Sequence, residues 1–202
     1  MKKINLVLFV LAIFTVSCIN SNVTNTNFQP KINIDPKGQE KLEKLSELDK
    51  NIDMTKDKYS NYYYSNRDSF VKDMGYTFYI NPYIVEEFGL INRLSLRIFI
   101  KVVSERENVF DKATFYDDKG NKVTVKFEEI TKKYLENSTF IEESSHGLIS
   151  PKDLKVFEKF IDNQNVFVIF EKDEKHIIKL PYPVKNSILD VIRKYKVLEE
   201  RN

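Results

Sequence analysis

The chain has 202 residues, enough for one ordinary domain and short for two. It is 42% hydrophobic, 31% charged and 13% aromatic with only 5 Gly and 6 Pro, which excludes a low-complexity or disordered chain and leaves material for a core. A formal net charge of +2, with the two signs interspersed, gives no electrostatic basis for a nucleic-acid partner.

Met1-Lys2-Lys3 is a short positive stretch, and Ile4–Val16 is an apolar run of thirteen interrupted only by Asn5 and Thr15. A span of the ~30 Å hydrocarbon core needs roughly 20 residues, so the run suits the apolar centre of an export signal better than a membrane crossing. It stops at Thr15-Val16-Ser17-Cys18. This boundary resembles the lipobox of bacterial lipoproteins, in a loose form with Thr15 where that family prefers Leu. The resemblance implies that residues 1–17 are a signal peptide and that Cys18 carries the lipid at the mature amino terminus. Of the 32 basic residues two, Lys2 and Lys3, lie in that leader, which leaves 30 against 30 acidic residues. One acyl chain holds a protein only marginally; the two or three implied here would hold it to a membrane stably. Cys18 is the only cysteine, so no disulfide is expected. Ile19, rather than Asp, follows it, which under the sorting rule of enteric lipoproteins implies the outer membrane or cell surface more than the inner membrane.

Ile19–Asn33 is rich in Asn, Thr and Ser and reads as a flexible tether. Asp35-Pro36 offers a helix start, and Leu42, Leu45 and Leu48 follow at spacings of three, a narrow amphipathic stripe ending near Asp49. Residues 18–58 are therefore expected to be a tether with a short helix, and 59–202 a globular domain. Tyr62-Tyr63-Tyr64 and Tyr76–Ile80 open an aromatic, strand-favouring stretch. Leu94–Val103 alternates cleanly, with Leu94, Leu96, Ile98 and Ile100 on one face and Ser95, Arg97, Phe99 and Lys101 on the other. Lys112–Tyr116 and Lys122–Phe127 flank an Asp/Gly turn and predict a hairpin. Ser138–Ile149 predicts a strand broken near His146-Gly147. Ser150-Pro151-Lys152-Asp153 is a helix start, and Leu154, Phe157, Phe160 and Ile161 follow at helical spacing. Asn165–Phe170 and His176–Leu180 predict a second hairpin. Val184–Glu200 predicts a last helix burying Ile188, Val191, Ile192, Tyr195 and Leu198.

Antiparallel strands with helices set apart predict an α+β fold: an antiparallel β-sheet with packed C-terminal helices, preceded by a signal peptide and flexible tether. The loose lipobox, Asn/Lys-rich composition, polar tether and the helix–hairpin–helix ending together resemble borrelial (spirochaetal) surface-antigen lipoproteins. That resemblance implies a lipid-anchored envelope protein, exposed on the surface or facing the periplasm, and no established chemistry. Its implied partners are the membrane, through acylated Cys18, and a host or envelope macromolecule.

Chemistry-bearing patterns are few. Glu142, Ser144 and His146 would share a strand face while Glu143 points away, which leaves one Glu–His pair; a solvated turn explains the segment better. An envelope enzyme acting on glycan or cell-wall substrate through Glu142 or Glu143 is the second reading. A subunit of an envelope assembly docking through the Leu42–Leu48 stripe is the third. His176 reads as a surface residue. Asp117–Asn121 lacks the alternating ligands of a calcium loop and is accounted for by the hairpin turn. No nucleophile elbow or phosphate-binding glycine loop occurs, and no metal or cofactor is expected. The candidate ligand-binding residues are Tyr62, Tyr63, Tyr64 and Tyr76, with Tyr59 beside them, since tyrosine joins a rigid flat face to a polar tip. Half-buried sheet packing explains them better, and the binding role is the alternative kept open.

Overall fold

The structure is a computed structural model and describes residues 43, 45–88, 93–107, 109–127 and 129–200. The leader, Cys18, the tether and Leu42 lie outside the described residues. In chain order, a helical segment at residues 45–50 (α1) precedes β1 (Ile52–Lys56), β2 (Ser60–Ser65), β3 (Phe70–Asp73), β4 (Tyr76–Glu87), β5 (Arg93–Ser104), β6 (Lys112–Asp117), β7 (Lys122–Lys126), β8 (Thr131–Tyr134) and β9 (Ile141–Ile149). Then come α2 (Pro151–Phe160), β10 (Val166–Glu171), β11 (Lys175–Lys179) and α3 (Tyr182–Glu199).

Period-two alternation lays down the larger sheet. Leu96, Ile98, Ile100 and Val102 are buried along β5, while the odd-numbered residues between them face outward. The twelve-residue β4 and β5 pair antiparallel along nearly their whole length and form the centre of the order β1-β2-β4-β5-β9-β8. β3 shares with β2 the remaining edge of β4: β3 pairs with Tyr76–Tyr79 and β2 with Tyr83–Glu87. Pro82 lies in the gap between them. Ile80 donates its N–H to Ser69 O at 2.7 Å on that side, and residues two apart on a strand point their N–H groups the same way. The donor that Pro82 lacks would therefore face the gap, so a proline is accommodated in the middle of a central strand.

The second sheet has the order β11-β10-β6-β7, again antiparallel throughout. Rings join the two sheets: Phe78 of β4 stacks on Phe170 of β10 at 4.7 Å between centroids, and beside them Phe110 of the β5–β6 connection stands edge-on to Phe127 at 5.2 Å. α3 packs on β4, β2 and β5, and α2 packs on β7 and β6. Ser150 caps α2 by accepting from Asp153 N at 3.1 Å, Pro151 starts it, and Leu154, Phe157 and Phe160 bury its inner face. The fold is thus an α+β arrangement, mostly antiparallel sheet with C-terminal helices.

Three sequence expectations need correcting. The sheet begins at Ile52, ahead of Tyr59, because β1 pairs with β2 in a register from Ile52–Ser65 to Lys56–Asn61. β9 starts at Ile141 and runs unbroken through His146-Gly147. Gly147 marks a close approach of the sheets: a Cβ placed there would lie 2.1 Å from Val125 Cγ1. Glu142, Glu143 and His146 accordingly lie in a paired strand and not in a solvated turn.

The β6–β7 turn is a carboxylate-centred knot. Asp117 Oδ1 accepts from Lys119 N at 3.0 Å and Asn121 N at 2.9 Å; Oδ2 accepts from the side-chain amides of Asn121 and Asn163, each at 2.9 Å. Gly120, at φ +87°, takes the left-handed position that the turn requires. Burial opposes ionisation of Asp117, but the donors from Asn121, Asn163 and Lys119 together outweigh it and hold the carboxyl below its ordinary value of 3.8. A carboxyl lowered on folding contributes stability that is present above its unfolded pKa and is lost as pH falls through the folded one. Asp117→Asn should therefore lower the thermal midpoint at pH 7, and its deficit against wild type should shrink steadily below pH 3.8. An equal deficit at pH 7 and at acid pH would show that the charge at this position contributes nothing.

Candidate ligand-binding face

The inner face of the large sheet is covered by α3 and the second sheet. On the outer face, cross-strand register gathers side chains that are scattered in sequence. One row runs Asp53, Tyr64, Tyr83, Arg97 and Leu148 across β1, β2, β4, β5 and β9. The adjacent row is Asn81, Phe99 and His146. Asn81 is fixed by accepting a hydrogen bond from Ser69 Oγ. Facing residues in such rows stand ~4.5–5.5 Å apart at Cβ, so their rings meet.

The result is a shallow cleft of about 400 Å³ whose lining includes Tyr62, Tyr64, Tyr83, Phe99 and His146. Tyr83 Oη and His146 Nδ1 share a hydrogen bond at 2.8 Å. The His146 ring lies 4.8 Å from that of Phe99 and stands edge-on to Tyr83 at 5.5 Å. Tyr62 donates to Asp57 Oδ2 at 3.0 Å, which holds its ring at the rim. His146 also lines a second, larger cleft of about 780 Å³, together with Arg97, Thr124, Lys126, Thr131 and Ser144 and with the carboxylate of Glu129.

Burial pushes the Tyr83 hydroxyl above its ordinary range, against the pull of the neighbouring Arg97 cation. Burial, and then the charge of Arg97, pushes His146 below its ordinary value, so its ring is neutral in neutral solution. Arg97 itself has no ion pair among the described residues, and its Nε is buried without an acceptor. The site is therefore an aromatic surface joined to a cationic one at a neutral imidazole. It offers flat rings, hydroxyl tips and an uncompensated guanidinium, which are means of recognition.

Of the tyrosines singled out in the sequence, Tyr62 and Tyr64 meet in the cleft. Tyr63 alternates to the inner face, where it is 8% exposed and donates to Glu86 Oε2 at 2.7 Å, with Lys194 Nζ 5.6 Å from its ring centre. Tyr76 lies elsewhere, 4.3 Å from the His176 ring and 5.7 Å from Phe78. Tyr59 is exposed on the loop that joins β1 to β2. Tyr83, Phe99 and Arg97 complete the face and were not singled out as site residues; strand pairing brings them in.

The carboxylates do not converge. Glu142 lies 3.5 Å from Lys101 Nζ on the outer face. Glu143 is 1% exposed on the inner face, where it accepts from Val109 N at 2.9 Å and lies 3.4 Å from Lys132 Nζ. Four residues of strand place Glu142 roughly 13 Å from His146. Among the described residues no group of three or more His, Cys, Asp and Glu side chains could hold a metal ion, and no helix is long and apolar enough to cross a membrane. Leu48 is buried in the core and is not presented for docking. No family model, curated protein or solved structure matches the chain.

Proposed function

We propose that this chain is a lipid-anchored envelope protein, fixed to the outer membrane or cell surface through acylated Cys18, whose folded domain binds a host or envelope macromolecule and catalyses no reaction. The leader and Cys18 support the anchor. The binding role is carried by one observation: Tyr62, Tyr64, Tyr83 and Phe99 are gathered on the outer face of the sheet, around His146. An antiparallel sheet covered on one side ordinarily turns polar residues to water on the other. Half-buried aromatic rings gathered at a cleft on that side are the kind of lining that ligand sites use. The reading of a carboxylate enzyme has no comparable support, since Glu142 and Glu143 face opposite sides of the sheet.

Two measurements test the two halves. Labelled palmitate should enter the expressed protein and should fail to enter a Cys18→Ala variant; equal labelling of both removes the anchor. Pull-downs with the full-length chain in detergent, against host-matrix and envelope extracts, should enrich a partner. Tyr64→Ala and Tyr83→Ala should each weaken that capture about tenfold or more, the range of a buried aromatic contact. Capture untouched by both substitutions would remove the face as the site.

A further inference from the structure

We infer that the ligand of this face is an anionic glycan, with its sugar rings on the Tyr64–Tyr83–Phe99 side and its acidic groups on the Arg97–Lys126 side of His146. The inference rests on the binding role proposed above and names the chemistry of its ligand. It starts from the two clefts. Both are lined by His146: the aromatic one lies on the outer face of the large sheet, and the basic one runs from Arg97 on that face past β9 to Thr124 and Lys126 of β7 in the second sheet. A ligand that spans both must present flat, weakly polar faces at one end and negative charge at the other.

The aromatic half suits sugar rings. A pyranose offers a C–H face to a phenol or phenyl ring and hydroxyls at its edge, and Tyr62, Tyr64 and Tyr83 supply both a ring and a hydroxyl tip. Its volume of about 400 Å³ lies in the range of small-ligand sites.

The basic half suits an anion. Lys101 stands beside Glu142 at 3.5 Å, which leaves Arg97 and Lys126 as the cations of the basic cleft without an ion pair among the described residues. Among the described residues Glu129 is the one acid lining that half, beside the two cations Arg97 and Lys126. A guanidinium presents paired donors that match a carboxylate or sulfate, and such bonds are the stronger, charge-assisted kind. Thr124, Thr131 and Ser144 add hydroxyls for the remaining sugar oxygens. At the junction the neutral His146 ring offers a hydrogen bond without repelling either half. A protein partner fits less well. Among the described residues the basic half carries a single large exposed apolar side chain, Leu148 at 61%, too little for the dry centre of a protein interface.

Titration calorimetry on the full-length chain in detergent tests the inference, with three probes: a galacturonic-acid tetrasaccharide, a sulfated hexose tetrasaccharide and neutral maltotetraose. At least one acidic probe should bind about tenfold or more tighter than the neutral one, weakening as salt is raised. Preference between carboxylate and sulfate identifies the anion. Arg97→Gln should bring the favoured acidic probe down to about the affinity of maltotetraose. Lys126→Gln, at an exposed position of β7, should shift affinity in the same direction by a smaller factor. Equal binding of acidic and neutral probes, or acidic binding indifferent to both substitutions, overturns the inference. So does a face that captures a partner from extracts in a Tyr83-dependent way while no tetrasaccharide binds or competes; in that case the binding role stands and only its glycan chemistry falls.

Discussion

Replacement of Phe78 by alanine should destabilise the domain by about 3–5 kcal/mol, the usual loss for a large aromatic ring removed from a packed interior. Phe78 is fully buried where the two sheets face each other, stacked at 12° on Phe170 and in ring contact with Tyr76. Its neighbours belong to different sheets, each held by its own backbone pairing, so they cannot collapse into the space without breaking register. Phe170→Ala should cost a similar amount for the same reason. The double variant should fall short of the sum by about 0.5–1.5 kcal/mol, the value of a ring pair beyond its buried area. Urea unfolding followed by circular dichroism reads all three numbers. A single-variant loss under about 1 kcal/mol, well below the usual range, would mean that the sheets do not meet at this ring.

Gly147→Ala should destabilise by about 1–3 kcal/mol, the range for overpacking a filled interior. Two effects compete at this site. Alanine narrows the unfolded ensemble and, in an ordinary strand conformation, would by itself stabilise by about 0.4–1 kcal/mol. Against that, the new methyl would lie 2.1 Å from Val125 Cγ1 and 3.0 Å from Phe127 Cε1. Val125 is buried and branched at Cβ, so it has no free end to swing aside. The clash wins. Val125→Ala should open room for the methyl, so the double variant should be more stable than the sum of the single losses. Thermal melts of the four proteins check this; a Gly147→Ala protein as stable as wild type would show that β7 and β9 stand further apart.

How much could be read from the residues depends on what each element must bury. β5, the β6–β7 hairpin and the β10–β11 hairpin were legible because one face of each meets the core, which stamps period two on the sequence. α2 was legible from its cap and its Phe157–Phe160 face. β8 was not: all four residues of Thr131–Tyr134 are exposed, and it is held by backbone pairing to β9 and by Lys132 and Tyr134 bonding to Glu107. β4 was read only to Ile80, yet it runs on through Pro82 to Glu87; the gap between β3 and β2 that tolerates a proline there exists only in three dimensions. The consecutive tyrosines drew notice as a run, yet a strand splits any run between its faces, and Tyr63 went inward. Tyr83, Phe99, Arg97 and His146 come from three strands that are neighbours only through pairing. A one-residue slip in that pairing would disperse them.

The two sheets are threaded through one another along the chain. β6 and β7 leave the large sheet, β8 and β9 return to it, and only β10 and β11 complete the smaller one. A cut anywhere from Lys122 to Ile141 therefore yields two pieces, neither of which owns a finished layer. Such wiring makes the strand that carries His146 wait on a hairpin of the other layer, so the outer aromatic face closes only after half of the smaller sheet has been laid down.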